Sequence, residues 1–142
     1  MKKIINLAYF YAIVALISGL FYRELTRSYA FVGKTQLGVA HTHLFVLGMF
    51  MMLFVYLFAY QLQLHKDSLF NSFLLTYNAG VIISTSMMIT RGTLQVIDFT
   101  MSKGLDNMLA GISGIGHILL TVGFLQFLHM LRKKAKTVEA TS

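Results

Sequence analysis

The stretch QLGVAHTHLFVLGMFMMLFVYLFAYQL, Gln36 to Leu62, contains no Lys, Arg, Asp or Glu, yet it carries two histidines one residue apart, His41 and His43. At about 1.5 Å of rise per residue, a helix of this length exceeds the roughly 20 residues needed to cross ~30 Å of hydrocarbon. Three further apolar runs approach or exceed that length, about Ile4 to Tyr22, Leu69 to Thr90 and Leu105 to Leu131, and leave little of the 142 residues for anything else. With 56% hydrophobic and only 12% charged residues, the composition is that of a membrane protein and not of an ordinary soluble domain. The expected fold is all-α: one membrane domain, a bundle of four transmembrane helices. Lys2 and Lys3 precede the first run as in a signal peptide, but the run is long and no small-x-small cleavage site follows, so it is read as a helix. The tail, residues 133–142, is expected to fray.

A formal net charge of +7 raises the question of nucleic acid, but the basic residues stand at the ends of the apolar runs and form no basic face. The partner they indicate is the lipid bilayer. Lys2, Lys3, Lys66, Arg132, Lys133, Lys134 and Lys136 fall on one side and Arg23, Arg27, Lys34, Arg91 and Lys103 on the other. The larger group marks the cytoplasmic side, which places both termini there. The second and fourth helices then run in the same direction, and residues at similar distances from their starts lie at similar depths.

With no Cys, disulfides, iron-sulfur clusters and thiolate metal sites are excluded, and metal chemistry falls to His, Met, carboxylates or backbone groups. Of the five histidines, His65 lies in the short inner loop and His129 near the inner end of the fourth helix, both expected at the interface or in water. The other three are deep. His41 and His43 lie about one to two turns into the second helix and His117 about three turns into the fourth. An ionisable ring at such depth is costly and needs a partner. Residues two apart on a helix diverge by about 200°, so His41 and His43 enter different inter-helix spaces, His41 with Gly38, Phe45 and Gly48, His43 with Leu47, Phe50 and Phe54. For a neutral imidazole in a slot lined by Phe and Gly, axial coordination of haem iron fits best, because the macrocycle supplies most of the contact surface. Zinc or copper needs more ligands, and Met49, Met51 and Met52 read as lipid-facing or packing surface. The competing reading of each histidine is an interhelical hydrogen bond to a hydroxyl or carbonyl, with Ser84, Thr85, Ser86 and Thr121 on offer.

Small residues are plentiful on the fourth helix: Ala110, Gly111, Ser113, Gly114, Gly116 and Gly123. They serve either close helix packing or room for a flat cofactor. Arg91, where the third helix emerges on the side of His41 and His43, is positioned to anchor a haem propionate or to snorkel as an ordinary interfacial arginine.

The segment Ala40 to Gly48, AHTHLFVLG, resembles the histidine-bearing transmembrane helices of subunit I of the haem-copper oxidase and nitric oxide reductase superfamily. The whole chain is also similar to small four-helix membrane proteins of bacteria, which implies a multi-pass protein of the bacterial cytoplasmic membrane. In the superfamily, twelve helices form three arcs of four, the second helix of each arc carries histidine ligands, and a His-x-His pair in the third arc binds two haems from opposite faces. The resemblance implies that this chain is equivalent to one arc and that three copies rebuild the pattern as a homotrimer. It implies haem b between subunits, held by His41 of one and His43 of the next, with Arg91 at the propionates. His117 has no counterpart there. The superfamily's copper site draws a His pair from the third helix of an arc, and here that helix has none, so oxygen reduction is not implied. The expected function is a b-type cytochrome for electron transfer or for sensing haem or gas, with an unidentified redox partner. The alternatives are a haem enzyme with an open axial position for nitric oxide or oxygen, and a transporter, channel or scaffold without haem in which Asn78, Ser84 to Ser86 and His117 line a path.

Overall fold

The structure, a computed structural model, describes residues 1–139. Its four long helices are α1 (Lys2–Ser28), α2 (Leu37–Gln61), α3 (Phe70–Val96) and α4 (Lys103–Glu139). Each is long and apolar enough to cross a membrane. They outrun the apolar stretches wherever good helix formers follow. α1 continues through Arg23, Glu24 and Arg27, and α4 through Lys133, Lys134 and Lys136, whose charges also complement the negative end of the helix dipole. Residues 133–139, expected to fray, are therefore helical; the remainder of that tail lies outside the described residues.

Consecutive helices are antiparallel and pack side by side, so the molecule is an open arc and not a closed bundle. Among the described residues, α1 and α4 nowhere approach within 8 Å between Cα atoms, nor do α2 and α4. Close backbone approach sets this order. A Cβ at Gly80 would lie 2.5 Å from the Leu120 amide nitrogen, and one at Gly123 would lie 2.8 Å from Tyr77 Cα, so α4 is pressed along α3. The start of α2 meets the end of α3 at Gly92. There the Thr35 hydroxyl donates to the Gly92 carbonyl at 2.9 Å, and the Gln36 amide donates to Gln95 Oε1 at 2.9 Å. Toward the end that bears both termini, Phe73 stacks on Phe127 with centroids 5.3 Å apart, and Phe58 of α2 reaches Phe127 edge-on at 6.2 Å. That aromatic group joins three helices over the buried Met52, Val55, Ala59 and Met130.

α2 is not uniform. From Leu44 to Phe50 its turns widen to the π form, and the Met51 amide reaches back five residues to Val46. A wide turn withdraws a carbonyl from the usual ladder, and in hydrocarbon that group needs another donor. The Tyr77 hydroxyl supplies it, donating to the Leu47 carbonyl at 2.9 Å.

In the turn between α2 and α3, Asp67 accepts from the Leu69 amide at 3.0 Å and from Lys133 of α4 at 2.9 Å. These bonds, the amide first, hold its carboxyl below the usual carboxylate value. A carboxyl with a depressed folded pKa stabilises the fold above its unfolded value, about 4, and loses that contribution as the pH falls through the lowered one. Asp67→Asn is therefore expected to cost roughly 1 kcal/mol at pH 7 and to flatten the acid limb of stability below about pH 4. Thermal unfolding in detergent at pH 7 and pH 3 reads both effects.

Candidate functional site

His41 and His43 occupy the last regular turn before the π segment. His41 faces α1, where a Cβ at Gly19 would lie 3.8 Å from its Cβ and Cγ. Its Nδ1 is buried without a hydrogen-bond partner, and its Nε2 is 3.5 Å from the Thr42 hydroxyl, too long for a strong bond. Gly38 and Gly48 share this side. Their open faces meet tyrosines of α1, Tyr22 at 3.2 Å and Tyr11 at 2.5 Å from an added Cβ. The space expected there for a flat cofactor is thus filled by two rings of the same chain. Phe45 is half-buried against the core.

His43 turns to the other flank. Its Nδ1 is 3.0 Å from the Val39 carbonyl, one turn earlier on the same helix. His117 on α4 repeats the arrangement, with Nδ1 2.7 Å from the Ser113 carbonyl. A carbonyl only accepts, so in each neutral ring the proton sits on Nδ1 and Nε2 is left as a bare lone pair. Anchoring one ring nitrogen on a carbonyl is also how metal-binding imidazoles are commonly oriented.

His43 lines a shallow pocket with Thr42 and Val46 of its own helix, whereas His117 belongs to the groove between α2 and α4, whose floor is α3. Its inner stretch is a cavity of about 340 Å³ lined by Leu47 of α2, Tyr77 of α3 and Leu120, Thr121 and Phe124 of α4. Its outer stretch, about 290 Å³, is lined by Gln36, Met87, Arg91, Ala110, Gly114 and His117. Phe58 on Phe127 closes the end nearer the termini. Gln36, Leu47 and Phe58 of α2 face α4 or the cavities it lines. Gly111 and Gly114, unlike Gly80, Gly116 and Gly123, meet nothing within 4 Å of an added Cβ, so part of the small-residue surface of α4 is unfilled.

Arg91 lines the outer cavity with His117, but its guanidinium is paired with Asp106 at the start of α4. The expected propionate anchor therefore already has a carboxylate partner, with N–H groups to spare for a second. His65 Nδ1 donates to the Ala59 carbonyl, 3.0 Å away, and His129 lies exposed beside Arg132, Lys133 and Lys136. Neither reaches the groove. Asn78 commits its amide to Tyr11 of α1 and to the Leu74 carbonyl, and Thr85 commits its hydroxyl to the Val81 carbonyl. Among the described residues no group of three or more His, Cys, Asp or Glu could hold a bare metal ion.

Gln36 is a lining residue that the sequence did not single out, whereas Gly111 and Gly114 stand in the set read as close packing or as room for a flat cofactor. Which of the glycines on α4 pack and which stay open was not legible, because the two look alike in a string of letters. No curated protein matches the chain and no solved structure does. What does match, over residues 1–134, is a family described as a protein of unknown function (DUF2871), and the chain belongs to that family.

Proposed function

We propose that this chain is a membrane haem protein, a b-type cytochrome ligated by two imidazoles, that carries electrons within the membrane or senses haem or a diatomic gas. The observation that carries the reading is the matched state of His43 and His117, each with Nδ1 tied to a backbone carbonyl and Nε2 presented as a ligand. Imidazole nitrogens exposed to lipid without purpose are costly, and a macrocycle would cover them. The groove offers apolar walls along its inner stretch and the polar groups of Gln36, Arg91 and Ser113 in its outer one, where the charged edge of a haem would be best accommodated. Haem, when bound, supplies reversible one-electron chemistry at iron, and the chain holds it, orients it and excludes water. Arg91, Gln36 and the paired Asp106 set the local charge at that end.

The same proposal takes the protein as a homotrimer in the bacterial cytoplasmic membrane with both termini inside. The open arc and the vacant surface at Gly111 and Gly114 support self-association, since a second copy would cover what one chain leaves bare. Purified protein is expected to show a Soret band and, on reduction, the sharp visible bands of a low-spin haem b, with no spectral change under carbon monoxide. A carbon monoxide shift would move the reading to an open-site haem enzyme. Protein that stays colourless after haem supplementation would sink the haem reading altogether and leave the transporter or scaffold.

A further inference from the structure

We infer that α4, near Asp67, carries a binding site for an anionic phospholipid with two phosphates, a cardiolipin. Its head sits among His129, Arg132, Lys133 and Lys136, and its acyl chains follow the same helix face. The inference goes beyond the haem reading and stands whether or not haem binds. Three observations converge on it.

The first is shape. These four basic side chains line a hollow of about 340 Å³ at the end of the molecule that bears both termini. Their spacing gathers them on one face of α4, with Arg132 and Lys136 one turn, about 6 Å, apart. Snorkelling accounts for single cations at a helix end, but not for their crowding on one face, which like-charge repulsion opposes and a bound anion relieves. The second is charge. Arg132, Lys133 and Lys136 bring three positive charges, and among the described residues Asp67 is the one carboxylate paired with them, bonded to Lys133 at 2.9 Å. Two positive charges remain, which a head with two phosphates matches and a zwitterionic head does not. Arg132 adds a planar fork of N–H donors suited to phosphate oxygens. The third is what adjoins the hollow. Val122, Leu125, His129, Arg132 and Lys136 recur at steps of three and four residues, so an exposed apolar strip runs straight into the basic one. Val122 lies about 15 Å along the helix from Arg132, the depth of one leaflet. Gly111 and Gly114 lie farther still, so the lipid and the second copy proposed above claim different stretches of α4.

The test uses the full-length chain, delipidated in detergent and offered one lipid at a time. Native mass spectrometry counts the lipid retained, and thermal unfolding reads its effect. Cardiolipin is expected to stay bound and to raise the unfolding temperature, and phosphatidylethanolamine and inorganic phosphate to do neither. Arg132→Gln with Lys136→Gln is expected to weaken cardiolipin binding about 25-fold, roughly fivefold for each cation removed. Lys134→Gln takes one charge from the opposite face of the same turn and is expected to leave binding unchanged. Arg132→Lys with Lys136→Arg keeps both charges and is expected to bind like wild type. Without lipid, all these variants of exposed side chains are expected to unfold at a temperature no lower than wild type, which shows that the fold is intact. Binding weakened as much by Lys134→Gln as by Arg132→Gln would mean diffuse attraction and no site. Equal retention of phosphatidylethanolamine would mean an ordinary surrounding lipid, and equal protection by inorganic phosphate would mean an anion pocket without a lipid. Each of these results overturns the inference, and none touches the haem reading, which the Soret band decides.

Discussion

Gly92→Ala is expected to remove most of the folded protein, while Gly114→Ala, on a surface of similar composition, is expected to be tolerated. A Cβ at Gly92 would lie 2.1 Å from the Leu37 amide nitrogen, 2.6 Å from Leu37 Cβ and 2.7 Å from Leu37 Cα. Two of those atoms are backbone, so no rotamer change relieves the clash and the helices must separate. Separation would also stretch the bonds from Thr35 to the Gly92 carbonyl and from the Gln36 amide to Gln95, which hold the first turn of α2 in place. Overpacking typically costs 1–3 kcal/mol, and about 1 kcal/mol for each bond lost carries this substitution to the upper end of that range or beyond. At Gly114 nothing lies within 4 Å, and Ala improves helix propensity. Thermal unfolding and size-exclusion profiles in one detergent compare the pair directly. A Gly92→Ala protein as stable as wild type would mean that α2 does not cross α3 at this point and that Gln36 is not held there at the outer end of the groove.

That crossing also shows what the sequence could and could not reveal. Hydropathy alone locates the four helices, because spanning hydrocarbon demands length and apolarity that nothing else in the chain supplies. The divergence of His41 from His43 follows from helical spacing, and the structure places them on opposite flanks. Which neighbour meets each flank is a different matter. Glycine says that something comes close, not what: at Gly38 and Gly48 it is a tyrosine ring, at Gly92 a backbone, at Gly114 nothing. The pairing of Arg91 with Asp106 bridges a turn between two helices and leaves no periodic trace. The π turns from Leu44 to Phe50 were equally hidden, since the hydroxyl that bonds the Leu47 carbonyl there belongs to Tyr77 on another helix. Charge density marks where a chain leaves the membrane, not where a helix stops, which is why α4 outlasts its apolar run.

Asn78→Ala is expected to destabilise the fold by about 1–3 kcal/mol without changing the haem spectrum of the protein that remains folded. Asn78 is 8% exposed and Tyr11 only 1%, and the Tyr11 hydroxyl donates to Asn78 Oδ1 at 2.7 Å, tying α1 to α3. Asn78 Nδ2 is bonded in turn to the Leu74 carbonyl at 2.7 Å. Removing the amide strands the tyrosine hydroxyl in an apolar interior, where no water replaces the lost acceptor. Tyr11→Phe is expected to cost less, because Asn78 keeps its bond to Leu74. Replacing both, Tyr11→Phe with Asn78→Ala, removes donor and acceptor together and should cost less than the two single changes added, by the roughly 0.6 to 1.7 kcal/mol measured for polar pairs between membrane helices. Asn78 contacts Tyr11 and Leu74 and does not line the α2–α4 groove, so the low-spin spectrum should persist throughout. A transporter that used Asn78 in its path makes the opposite demand: Asn78→Ala would leave stability near wild type and abolish solute flux in vesicles. Measuring unfolding and flux on that one variant decides whether this buried amide is glue between helices or part of a route across the membrane.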